Sequence, residues 1–135
     1  MSRLLLDASA YSAMRRGDER LLRPVREASG VFLTPVVVGE LLYGFLGGGL
    51  AEQNRDLLRE FLDSDRVDVL AVDEETAERY AVIRDHLRRQ GIPIPANDLW
   101  IAASAAQHGL VLMTLDSHFK NVPHVLVEYL EPSGA

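Results

Sequence analysis

Short apolar runs that end in a polar or acidic residue recur along this chain, and longer stretches with apolar residues at helical spacing separate them. Leu4-Leu5-Leu6 is closed by Asp7, Val31-Phe32-Leu33 by Thr34-Pro35, and Leu110-Val111-Leu112-Met113 by Thr114, with Asp116 two residues on. Runs this brief and this uniformly apolar fit strands buried on both faces, as in parallel sheets. Val67-Asp68-Val69-Leu70 adds a strand by alternation, and Val125-Leu126-Val127 a last short one.

Helices fill the intervals. One is expected from about Ser9. A second should run from Pro35 to about Phe45, with Thr34 as N-cap, proline at the first helical position and Gly47-Gly48-Gly49 as the stop. Val36-Val37-Val38 favours a strand by propensity, but Leu41, Leu42 and Phe45 recur at helical spacing and decide for the helix. Leu57, Leu58, Phe61 and Leu62 mark an amphipathic helix over about 50–62. Asp73 reads as the N-cap of a helix with Ala77, Tyr80, Ile83 and Leu87 inward, ending at Gly91. Ile92-Pro93-Ile94-Pro95 must be an extended loop, and Asn97 reads as the N-cap of a helix carrying Leu99, Ile101, Ala102 and Ala105 to about Gly109. Strands alternating with helices predict an α/β fold, a parallel sheet covered on both faces, with any site beyond the carboxyl ends of its strands.

The length of 135 residues, with no repeat or linker, favours one domain over residues 1–135, with 1–3 and 131–135 as frayed ends. The chain has no cysteine, so a metal would have to be held by oxygen or by the four histidines, and a reducing cytoplasm is the natural setting. Neither a signal peptide nor a membrane-spanning run is legible. The net charge of −6 argues against binding nucleic acid by overall charge. Arg15, Arg16, Arg20, Arg23 and Arg26 form one local basic group and Arg84, Arg88 and Arg89 another, for which solvated helix faces are the simpler account.

Four acids fall where the sheet's functional edge should be: Asp7 after the first strand, Glu40 in the helix after the second, Asp98 at a helix start and Asp116 after the fourth strand. Taken singly, each has an ordinary explanation as a turn, capping or solvent-facing residue. Together they would repel and raise one another's pKa values unless a cation intervened. Magnesium or manganese prefers oxygen ligands and commonly bridges carboxylates to a phosphate, so the chemistry indicated is phosphodiester hydrolysis.

Asp7-Ala8-Ser9-Ala10, Thr34-Pro35 through Gly39-Glu40-Leu41-Leu42-Tyr43-Gly44, Asn97-Asp98-Leu99-Trp100-Ile101-Ala102-Ala103 and Thr114-Leu115-Asp116-Ser117-His118-Phe119 together resemble the motifs of PIN-domain nucleases. The likeness is specifically to the VapC-like toxins of type II toxin–antitoxin pairs, and it runs from Leu4 to about Tyr129. The resemblance implies a three-layer α/β/α domain and a Mg2+- or Mn2+-dependent endoribonuclease acting as a toxin. It makes Asp7, Glu40, Asp98 and Asp116 the catalytic and metal-binding acids, with Asp7 and Asp98 in most direct contact with the metal. Ser9 and Thr114 match the family's small hydroxyl positions, which would orient the acids. It further implies an RNA substrate, a homodimer, no membrane, and a VapB-like antitoxin whose basic side chain, arginine foremost, would compensate the acids.

Other readings fit less well. A phosphohydrolase would place a second acid at position 9, where this chain has serine, and a receiver would want a lysine near its fifth strand, where the single lysine, Lys120, lies in a loop. A catalytically silent PIN-like module that binds RNA or protein is the alternative of a different class, and a complete set of acids weighs against it. Among the histidines, His118 and His124 flank a loop near Asp116 but read first as surface or packing residues. Tyr43, Phe45 and Trp100 read as core or interface packing, and Tyr11 as the aromatic nearest a substrate groove.

Overall fold

The computed structural model describes residues 2–132. Its elements in chain order are β1 (Arg3–Leu6), α1 (Ala8–Arg15), α2 (Glu19–Glu27), β2 (Gly30–Leu33), α3 (Pro35–Leu46) and α4 (Ala51–Leu62). There follow β3 (Val67–Val69), α5 (Glu74–Arg89), α6 (Ala96–His108), β4 (Val111–Thr114), a 3-10 turn (Ser117–Asn121) and β5 (Leu126–Tyr129). Residues 1 and 133–135, part of the ends expected to fray, lie outside the described residues, and Arg3 is already paired with Gly30.

The five strands form one sheet in the order β3-β2-β1-β4-β5, and every pairing is parallel. Parallel neighbours need crossover connections, and the helices supply them, giving the three-layer α/β/α arrangement. The strand of three leucines is central. Leu5 and Leu6 have no exposed surface, and each contributes about 1.5–3 kcal/mol by leaving water. Among the described residues no helix is long and apolar enough to cross a membrane.

Local chemistry sets the element boundaries. The Thr34 hydroxyl accepts from the Val37 N–H at 3.1 Å and Pro35 fixes the first turn, so a good cap outweighs the modest helix cost of three valines. Gly109 closes α6 at φ 63°, a left-handed conformation that a glycine adopts without strain.

Four expectations need correction. Asn97 is not the N-cap of α6, which starts one residue earlier at Ala96 after Pro95, whose fixed φ suits a helix entry. On α5, Ala77 faces solvent and Thr76 is buried, because Thr76 forms a reciprocal capping pair with Asp73 and this sets the helix phase. Tyr43 is exposed on α3, which rules out the core half of its expected core or interface packing. Tyr11 belongs to the core instead of a groove: its ring meets Phe61 edge-on and its hydroxyl accepts from Arg15 Nε at 2.9 Å.

Candidate active site

Chain direction across the sheet fixes where a site can form. From β1 the chain steps outward to β2 and β3, then returns to place β4 on the other side of β1. The crossover helices therefore diverge between β1 and β4, opening a crevice at their carboxyl ends. Asp7 directly follows β1, and Thr114 ends β4 with Asp116 two residues beyond.

Asp7 is buried, and its carboxylate is held on both sides. Oδ1 accepts from the Ala10 N–H at 2.8 Å, which caps α1, and from the Ser9 hydroxyl at 2.7 Å. Oδ2 accepts from the Thr114 hydroxyl at 2.6 Å. The two hydroxyls also receive backbone donors from the far strand end: Leu115 N–H reaches Ser9 Oγ and Asp116 N–H reaches Thr114 Oγ1, each at 2.9 Å. Ser9 and Thr114 thus orient the acid while tying the ends of β1 and β4 together.

The other acids approach from separate elements. Glu40 projects half-buried from α3, with the Asn97 side-chain amide 3.5 Å from Oε2. Asp98 sits in the first turn of α6, where the helix dipole favours an anion, and is buried. Asp116 caps the 3-10 turn, its Oδ1 accepting from the His118 N–H at 2.9 Å.

Electrostatics tie the four into one cluster. Burial raises the Asp7 pKa, hydrogen bonds from Thr114, Ser9 and Ala10 oppose the rise, and the Asp116 charge adds to it. Glu40 is pushed up by burial, held back by Asn97, and raised further by Asp98, Asp7 and Asp116. Asp98 is raised by burial, lowered by His118 through a hydrogen bond and charge, and raised by Asp116 and Asp7. All four acids expected from the sequence therefore lie close enough to feel one another's charge. Such oxygen donors with unbalanced negative charge suit a hard divalent cation.

Sequence reasoning set one neighbour aside. His118 Nδ1 lies 3.1 Å from Asp98 Oδ2 and 3.2 Å from Asp116 Oδ1. Its spacing two residues after a capping acid was the available signal. The arginine groups are largely engaged locally: Arg20 pairs with Asp18, Arg26 with Glu19, and Arg88 and Arg89 with Asp85. His124 meets the His86 ring edge-on.

Comparison with known proteins identifies the family. The PIN domain family pattern matches residues 4–125. Ribonuclease VapC5 of Mycobacterium tuberculosis is 34% identical over 118 residues, covering 85% of this chain and 84% of that one. Among solved structures, VapBC-5 from M. tuberculosis superposes with a TM-score of 0.75 at 30% identity, covering 98% of this chain and 100% of its counterpart. DNA-bound VapBC from Salmonella typhimurium gives a TM-score of 0.81 at 26% identity, covering 96% and 98% of the two chains. The family match over residues 4–125, these relatives and the parallel sheet agree, and the chain belongs to the PIN-domain family, in its VapC-like branch.

Proposed function

We propose that this chain is a divalent-metal-dependent endoribonuclease that hydrolyses RNA phosphodiester bonds as the toxin of a toxin–antitoxin pair. The observation that carries the reading is the convergence of Asp7, Glu40, Asp98 and Asp116 at the β1–β4 crevice, in a chain whose relatives are named ribonucleases. Magnesium or manganese is the ion the donor set suits, and it would supply polarisation of water and of the phosphate oxygens at neutral pH.

The chain's own residues prepare that chemistry. Asp7, clamped by Ser9, Ala10 and Thr114, keeps one fixed orientation, and an unshared lone pair on Oδ2 leaves it able to hold the ion. Asp98 and Asp116 would hold the ion together with Asp7, and Glu40 would orient water from α3. Fixing these groups before substrate arrives removes reorganisation from the reaction.

Purified protein incubated with cellular RNA should cleave it with magnesium or manganese and not with chelator, and Asp7→Asn and Asp98→Asn should be inactive. Equal cleavage by wild type and both variants would mean a contaminating nuclease and remove the assignment.

The unbalanced acids also motivate the partner proposal: a VapB-like antitoxin lays a segment over the crevice and places an arginine against the carboxylates. The toxin itself is proposed to be a homodimer working in the cytoplasm. Co-expression with the neighbouring gene should yield a complex that does not cleave RNA, and light scattering should give twice the chain mass for the toxin alone. A free monomer with no complex would discard both proposals.

A further inference from the structure

Among the described residues, His118 is the one basic side chain in ion-pair contact with any of the four acids. Its place is built by the surrounding chain. Asp116 Oδ1 accepts the His118 N–H and so fixes the backbone at residue 118, while Phe119, with no exposed surface, anchors the same turn in the core. The ring is left leaning across Asp98 and Asp116 with 48% of the side chain open to solvent.

One ligand atom from each of Asp98, Asp116 and His118 lies within 4.8 Å of the others. Two ligands on opposite sides of a magnesium-sized ion stand about 4 Å apart, so small side-chain rotations bring all three to one centre. Imidazole is a poor partner for magnesium, which demands oxygen. It is a good one for first-row transition ions, and manganese accepts both donor types.

We propose that His118 donates Nδ1 to the metal centre, and that this nitrogen biases the centre towards manganese over magnesium. The inference rests on the metal-dependent nuclease reading above. Ligation through Nδ1 leaves the imidazole neutral with its proton on Nε2. The carboxylates suit either ion, so the nitrogen of residue 118 is the donor that distinguishes them.

The test is pulsed electron paramagnetic resonance on the tag-free, full-length protein with manganese alone, which reads nitrogen coupling to the ion without any turnover. Wild type should show the nitrogen coupling. His118→Gln should bind manganese without it, and by calorimetry its manganese-to-magnesium affinity ratio should fall about tenfold or more, with magnesium affinity little changed. Manganese binding that Asp98→Asn abolishes, but that carries no nitrogen coupling in wild type, overturns the role of His118 and leaves the nuclease reading intact. The same coupling in His118→Gln does likewise. Absence of manganese binding by wild type, or binding untouched by Asp98→Asn, overturns both.

Discussion

The Thr114 hydroxyl donates to Asp7 Oδ2 at 2.6 Å, joining residues 107 positions apart in the chain across the mouth of the β1–β4 crevice. The same hydroxyl accepts from the Asp116 N–H, so one side chain orients one acid and fixes the backbone of another.

Thr114→Val keeps the shape of the side chain and removes both bonds. The Asp116 N–H then lacks its acceptor, which costs about 1–3 kcal/mol in urea denaturation. RNA cleavage should fall about 10–100-fold, as for other residues that orient metal-site acids. Thr114→Ser restores the hydroxyl and should recover most of both. Full activity in the valine variant would show that Asp7 needs no such support.

Asp98→Asn removes one charge from a self-repelling cluster. Without metal the variant should melt a few degrees above wild type at neutral pH, as a relief of around 1 kcal/mol would give. Added manganese should raise the wild-type melting temperature and leave the variant unchanged. A destabilised variant would mean that Asp98 is paired well enough to stabilise the fold.

The pH dependence has a definite sign. Asp7, Glu40 and Asp98 are raised from 3.8, 4.5 and 3.8 respectively. A raised carboxyl contributes stability that is fully present below its unfolded value and lost as pH rises through the folded one. The melting-temperature gap between Asp98→Asn and wild type should therefore close on acidification. Cleavage should fail on the acid side at a pH above the ordinary carboxylate range, and more metal should move that limb to lower pH, because the ion favours the charged forms. A limb that does not respond to metal concentration would assign it to another group.

Thr34 bears on the site through α3. Thr34→Ala removes the cap from the Val37 N–H and should cost about 1 kcal/mol by chemical denaturation. Because α3 carries Glu40, cleavage should also weaken, while Thr34→Ser should retain both properties. Unchanged cleavage in a destabilised Thr34→Ala protein would uncouple the cap from the position of Glu40.

Much of this is readable along the chain because Asp7 and Asp116 follow apolar runs, and parallel strands bring the ends of those runs to one edge. Glu40 and Asp98 reach that edge from helices α3 and α6. Leu4–Leu6 before Asp7 and Thr34-Pro35 before the valines are local signals, and the structure follows them. The separate helix α2 is not legible in the sequence, since Pro24 and five charged residues among its nine hide a helical pattern that leaves only Leu21 buried. Asn97 was misplaced because Pro95 and Asn97 both resemble helix starts, and only packing shows Asn97 turned towards Glu40. His118 escaped for a different reason: its relation to Asp98 is purely tertiary, spanning 20 residues with no periodicity to report it.

The central place of β1 governs when the enzyme comes into being. A chain emerging from the ribosome carries Asp7 and Glu40 early, but β1 lacks its β4 neighbour, and Asp7 its Thr114 partner, until residue 114 has been made. Asp116 follows two residues later. The order of the chain therefore withholds the complete acid cluster until that segment is synthesised, so the proposed nuclease would lack its full site while the RNA of translation surrounds it.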